Sequence, residues 1–256
     1  MNKNIWVFVL ALALSLLSGN RLPAQAYEFY FPLVFNDYCA NQHLKLNFLA
    51  FGDSITGCYY DSYEPLYFPY CGYEKRVYDR LNRDYGFCQN ALAFHNSSEG
   101  GEITEGGLNR FLEAISNPNP ARMYPPAAAN TIPDLVIIME GTNDMNFGTE
   151  LIPDIVVESN LRTMIAIALG QGKKVILATI PPASGPDEVE RQQRIDQFNP
   201  VIHQIGFDMG IPIADVWSRL YNHPEWMAAD GLHFNDAGFD QMADVFYQAL
   251  VGLMFP

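Results

Sequence analysis

Basic residues are scarce in this sequence: 15 Lys and Arg stand against 29 Asp and Glu, for a formal charge of −14 over 256 residues. A phosphate backbone would be repelled at long range, which argues against nucleic acid as a partner. Cysteines number four, with no paired C-x-x-C element among them, so a structural zinc site is not expected. No G-x-x-x-x-G-K-[ST] phosphate loop occurs, and no G-x-S-x-G nucleophile elbow. Internal repeats and glycine- or serine-rich linkers are missing too. Beyond the first 26 residues no apolar run is long enough to span a bilayer.

Those first residues differ from the rest. Lys3 precedes a nearly pure apolar run from Ile5 to Leu17, and Ala24-Gln25-Ala26 provides the small-x-small pattern that signal peptidase needs. The layout predicts a cleaved secretory signal over 1–26 and one domain over 27–256, secreted to the periplasm or the extracellular space, with no membrane attachment after cleavage. Losing Lys3 and Arg21 with the signal takes the charge from −14 to about −16. Cys39, Cys58, Cys71 and Cys88 form an even set behind such a signal, which suggests two disulfides. Three pairings are open. Cys58–Cys71 with Cys39–Cys88 is favoured, since the first would staple one loop.

Short apolar runs alternate with helical patterns. Strands are expected over 46–51, 87–92, 135–139, 174–179 and 211–216. Val157, Leu161, Met164, Ile165 and Ala168 recur at helical spacing, closed by Gly170. Asn235 can cap a last helix whose Phe239, Met242, Phe246, Leu250 and Leu253 share a face. Pro200 predicts a kink or break in the helix after Asp187. The proline-rich stretch 118–133 reads as a surface excursion. The alternation implies an α/β fold with a sheet covered on both faces, and a site in the loops after the strands.

Four motifs sit in such loops or beside a helix start. Phe51-Gly52-Asp53-Ser54 ends the first strand; Ser54 is either a nucleophile awaiting a base or a plain helix cap. In Glu140-Gly141-Thr142-Asn143-Asp144 the Asn143 amide can donate to a developing oxyanion, although such residues also favour ordinary turns. Asp230-Gly231-Leu232-His233 can bring a carboxylate to Nδ1 of His233 and leave Nε2 free, or it is a turn with a surface histidine. The glycine-rich stretch 99–108 lets backbone approach a ligand closely. His43, His95, His203 and His223 lack a comparable carboxylate and are taken as structural or exposed.

Together and in order these motifs resemble the GDSL/SGNH hydrolase family. Residues 51–54 are similar to its first block, Gly101 to Leu108 to the second (Gly101 or Gly100 matching its glycine), Gly141 to Asp144 to the third, and Asp230-x-x-His233 to the fifth. The resemblance implies a flavodoxin-like three-layer α/β/α sandwich with a five-stranded parallel sheet. It implies a Ser54–His233–Asp230 triad and an oxyanion hole built from the Ser54 N–H, the Gly101 N–H and the Asn143 side chain. The expected chemistry is carboxylic ester hydrolysis through an acyl-enzyme, without metal or cofactor.

The substrate is open. Tyr59, Tyr60, Tyr63, Tyr67, Phe68, Tyr70 and Tyr73 crowd the segment after Ser54 and are either a platform for a sugar or aryl ring or core packing around a disulfide-held loop. An acetylated polysaccharide suits a secreted enzyme; so does a lipid or a short-chain ester. Rival readings are a catalytically silent carbohydrate-binding domain, an acyltransferase with the same triad, and a flavin-binding protein of similar fold.

Overall fold

The computed structural model describes residues 45–63, 68–86, 91–126, 131–146 and 151–254. The expected signal and the Cys39–Cys88 pair lie outside them.

The sheet is built on β1 (Leu46–Gly52), whose seven residues are all buried. It lies between β2 (Leu92–Ser98) and β4 (Leu135–Met139) and is parallel to both. β5 (Lys174–Ala178) and the two-residue β6 (Ile213–Ala214) extend the β4 side in parallel. β3 (Met123–Tyr124) pairs antiparallel on the outer edge of β2. The order is β3-β2-β1-β4-β5-β6. Successive side chains of a strand point to opposite faces. Phe48, Ala50, Ile137 and Met139 therefore pack with α1 (Gly72–Tyr85) and α6 (Asp236–Met254), through Tyr73, Val77, Phe239 and Phe246. Leu49, Phe51, Val136 and Ile138 face α2 (Thr104–Ser116), α3 (Asp154–Gly170) and α4 (Val189–Met209). The class is the expected three-layer α/β/α sandwich.

Four expectations need correction. Among the described residues the sheet has six strands and is mixed, because the proline-rich excursion contributes the antiparallel β3. The described second strand runs over Leu92–Ser98, beyond the expected 87–92, whose residues 87–90 lie outside the described residues. Its latter half, His95-Asn96-Ser97-Ser98, reads as polar, yet every residue is buried, with most of its side-chain polar atoms paired: His95 Nε2 pairs with the Asn119 carbonyl at 2.7 Å, Asn96 Nδ2 donates to the Thr56 carbonyl at 2.7 Å, and Ser98 Oγ donates to Asn96 Oδ1 at 2.6 Å. A buried polar group with its bond made loses little by leaving water. Asn96 also begins a glycosylation sequon, but its amide is enclosed. The last strand pairs only over Ile213–Ala214, after which Asp215 accepts from Ser218 N and starts α5 (Val216–Leu220). Pro200 does not break α4, whose Ile195, Phe198, Ile202 and Ile205 are buried against the sheet on both sides of it.

The register sets the site. Gly52 lies level with Ser98 on β2 and Met139 on β4, so the loops that follow these three strands open at one height. The chain leaves β1 toward β2 and later returns to the other side of β1 at β4, the switch point where open α/β sheets bind ligands.

Asn235 caps α6 as expected: its Oδ1 accepts from Gly238 N at 3.1 Å. Its Nδ2 donates to the Glu225 and Met227 carbonyls at 2.9 and 3.1 Å. Asn235→Ala should cost about 1–2 kcal/mol, read from the urea midpoint at unchanged slope.

Candidate active site

Ser54 stands in the turn that leaves β1. A Cβ on Gly52 would fall 2.5 Å from the Met139 carbonyl oxygen and 2.2 Å from Thr56 Oγ1, so only glycine lets the chain pass there. Asp53 Oδ1 accepts from Ile55 N at 2.8 Å, and Gly57 N donates to the Asp53 carbonyl at 2.9 Å. From β2, Asn96 supports the turn through its bond to Thr56. Ser54 is left 9% exposed.

His233 reaches the same point from the loop before α6. Its Nε2 lies 2.8 Å from Ser54 Oγ, and its Nδ1 lies 2.7 Å from Asp230 Oδ2. Asp230 Oδ1 accepts from Leu232 N and His233 N, each at 3.0 Å. Burial pushes the Asp230 pKa up, but the imidazole and those two backbone N–H groups outweigh it and hold the carboxyl below its ordinary value. An ionised Asp230 places the imidazole proton on Nδ1, leaving Nε2 to accept from the serine hydroxyl. Gly231 allows the turn: its φ is +72°, and a Cβ would fall 1.8 Å from the Ser184 carbonyl oxygen.

Asn143, from the loop after β4, meets the glycine turn after β2 at the end of β1. Asn143 Nδ2 donates to the Glu102 carbonyl at 2.8 Å and lies 3.5 Å from Asp53 Oδ2. Gly101, with φ +75°, immediately precedes Glu102. Asp144 then accepts from Thr104 N at 2.9 Å and Thr104 Oγ1 at 2.6 Å, tying the start of α2 to the loop after β4.

Under these loops lie charged groups to which sequence reasoning assigns no role. Arg110 pairs with Glu102, donates to the Ser97 carbonyl at 3.1 Å and sits over the Phe51 ring at 4.0 Å. It thereby joins the ends of β1 and β2 to the glycine turn. Glu140, at the head of the Asn143 motif, is buried. That burial, with the Asp53 and Glu102 carboxyls nearby, pushes its pKa well above the usual range, favouring the neutral acid. Asp53 is fully buried and raised to about 6, mainly by burial, against the Ile55 N–H and Thr142 bonds. The signals in the sequence are slight: a polar run inside a strand for Asn96, and a lone arginine on a glycine-rich helix for Arg110.

The aromatic residues divide between the two readings. Tyr59 and Tyr60 lie beside His233, with ring centroids 5.7 and 5.4 Å away. Tyr73 stacks on Phe246 in the core, Tyr70 on Tyr124, and Lys75 sits over Tyr63. Tyr67 lies outside the described residues. Cys58 and Cys71 form a disulfide that closes the loop. Among the described residues no group of three or more His, Cys, Asp or Glu side chains is placed to hold a metal ion, and no helix is long and apolar enough to cross a membrane.

A raised pKa in the fold means that Asp53 favours folding while protonated. Its contribution is complete below the ordinary carboxyl value and is lost as pH rises through about 6. A rise from 3.8 to about 6 corresponds to about 3 kcal/mol. Asp53→Asn should therefore gain about that much on the wild type between about pH 3.5 and pH 7.5, measured by urea unfolding at each pH.

The sequence profile of the GDSL-like Lipase/Acylhydrolase family matches residues 50–241. An acetylxylan esterase of Xylanibacter ruminicola is 27% identical over 137 residues, 46% of this chain and only 28% of the relative's length. An arylesterase of Vibrio mimicus is 28% identical over 159 residues, 61% of this chain and 68% of the relative. Among solved structures, a lipase/acylhydrolase from Enterococcus faecalis superposes with a TM-score of 0.64 at 28% identity, over 81% of this chain and 96% of that one. An acetylxylan esterase from Geobacillus stearothermophilus shares the fold at 21% identity and a TM-score of 0.63, over 82% of this chain and 96% of its own. With the family match running from the end of β1 into α6, through every loop described above, the chain belongs to the GDSL-like lipase/acylhydrolase family of ester hydrolases.

Proposed function

We propose that this chain is a secreted serine esterase that cleaves carboxylic esters through an acyl-enzyme. The observation that carries the reading is the continuous hydrogen-bonded path Ser54 Oγ–His233–Asp230, with steps of 2.8 and 2.7 Å, beside the junction of Asn143 with the glycine turn. His233 takes the Ser54 proton as Oγ attacks the ester carbonyl, and Asp230 stabilises the imidazolium. The Ser54 and Gly101 N–H groups and the Asn143 amide receive the negative oxygen, each donor contributing ~3 kcal/mol. His233 returns the proton to the departing alcohol. Water then releases the acid by the same steps in reverse order. The reaction as drawn needs no metal or organic cofactor.

The Cys58–Cys71 disulfide favours an oxidising compartment, in line with the signal-like first 26 residues. An acetylated carbohydrate is the favoured substrate, supported by the acetylxylan esterase relative; the arylesterase relative keeps small aryl esters open.

Ser54→Ala should reduce turnover of p-nitrophenyl acetate by at least ~10⁴-fold with the circular dichroism spectrum unchanged, and it should abolish labelling by a serine-directed phosphonate. Asn143→Ala should cost ~10²–10³-fold, mainly in kcat. Turnover surviving in Ser54→Ala would overturn the reading.

A further inference from the structure

Tyr59 and Tyr60 are the large side chains closest in sequence to Ser54 that stay open to solvent, at 46% and 59% exposure. Both face the imidazole: Tyr59 lies stacked at 23° to the His233 ring, and Tyr60 tilted at 39°. The Tyr59 hydroxyl reaches across to the glycine turn, 3.0 Å from where a Cβ on Gly100 would stand. Exposed aromatics in a turn would ordinarily be free to swing. These are held.

The backbone around them is committed to an uncommon shape. Cys58 and Tyr60 both have positive φ, 56° and 67°, in the region that favours glycine. The Cys58–Cys71 disulfide fixes one side of the turn. On the other side buried Asp61 accepts from Gly72 N and from Arg76 Nη1, each at 2.6 Å. Arg76 in turn binds Asp240 on α6 at 2.8 Å, and Ser62 N donates to Asp236 at 2.9 Å. The pair is thus fastened both to α1 and to the helix that follows His233.

The chemistry at His233 says what such a surface meets. In acylation the proton moves from Ser54 Oγ to Nε2, the Oγ–acyl bond forms, and the ester C–O bond breaks as Nε2 gives the proton to the leaving oxygen. The leaving oxygen must therefore come within hydrogen-bond reach of Nε2, which puts the rest of the alcohol on the histidine side of the site. That is where the two tyrosine rings stand.

We infer that Tyr59 and Tyr60 form the leaving-group subsite and select esters whose alcohol carries a six-membered ring, a pyranose or an aryl group, over open-chain alcohols. The inference rests on the esterase reading and narrows it to one side of the scissile bond. A preorganised pair loses little conformational freedom when a ring stacks on it, so its contact is retained as selectivity. The open setting of both rings suits an alcohol that extends beyond the site.

The test holds the acyl group constant as acetate and varies the alcohol: phenyl acetate, an acetylated methyl xyloside and trifluoroethyl acetate, each with wild type, Tyr59→Ala and Tyr60→Ala. Each alanine variant should lose about tenfold in kcat/KM on the ring alcohols, the scale of one aromatic contact, and stay within about twofold on trifluoroethyl acetate. The corresponding Phe variants should keep the ring-alcohol activity. Losses confined to the xyloside or to the phenyl ester would support the subsite and name its ring. Equal losses on all three esters would overturn it, because the tyrosines would then only be supporting His233, and so would no loss on any. An esterase reading that is itself mistaken gives a different result: no turnover of any ester by the wild type, which also ends the inference.

Discussion

The hydrogen bond between His233 and Ser54 joins groups 179 residues apart, and the rest of the site is arranged around closing that distance. Ser54 is placed by β1, which lies between two parallel partners, β2 and β4. His233 is placed by the start of α6, which packs on the same sheet through Phe239, Met242 and Phe246. Neither segment touches the other in sequence. Their meeting depends on α6 docking at one rotation and one height, so the apolar face of that helix determines the reach of the imidazole.

Asp230 and the glycines make the final adjustment. A carboxylate that accepts two backbone N–H groups and one imidazole N–H has little freedom to leave its position, and an oriented imidazole follows. Gly231 and Gly52 sit where backbone passes within van der Waals distance of other backbone, and a single methyl group there would displace the loops that hold His233 and Ser54. A buried layer beneath the site adds to this. Arg110 binds strand ends and the glycine turn at once, while Glu140 and Asp53 are carboxyl groups whose surroundings favour the neutral form. Within it Arg110 is the member held by hydrogen bonds, to Glu102, Ser97 and the Gly52 carbonyl, and breaking these in a dry interior would cost more than keeping them.

Tyr59 and Tyr60 illustrate a second use of the same rigidity. The loop that carries them is tied by a disulfide and by the Asp61–Arg76–Asp240 ion pairs, so an exposed aromatic surface keeps a defined position beside the histidine. Tyr70 and Tyr73, farther along that segment, pack against Phe94, Tyr124 and Phe246 and anchor the loop's far end.

Strands with continuous apolar runs were legible in the sequence: 46–51 and 135–139 fall where local pattern puts them, since a strand buried on both faces writes itself as consecutive Val, Ile, Leu and Phe. The helices over 154–170 and 236–254 were legible for the same kind of reason, as were the family motifs, because a turn that needs Gly beside Ser, Asn or His carries its requirement in local order. The second strand was not, since His95, Asn96, Ser97 and Ser98 are buried only by virtue of partners far along the chain. Nor was the antiparallel β3, which forms because an edge of β2 is available to pair, or the continuity of α4 through Pro200, which packing on the sheet sustains. Local sequence determined which residues carry reactive groups and which kind of element presents them. Tertiary structure alone decided that Arg110, Glu140 and Asn96 lie under the site and that Tyr59 and Tyr60 face His233, because burial and pairing belong to contacts between distant segments, and no local pattern encodes them.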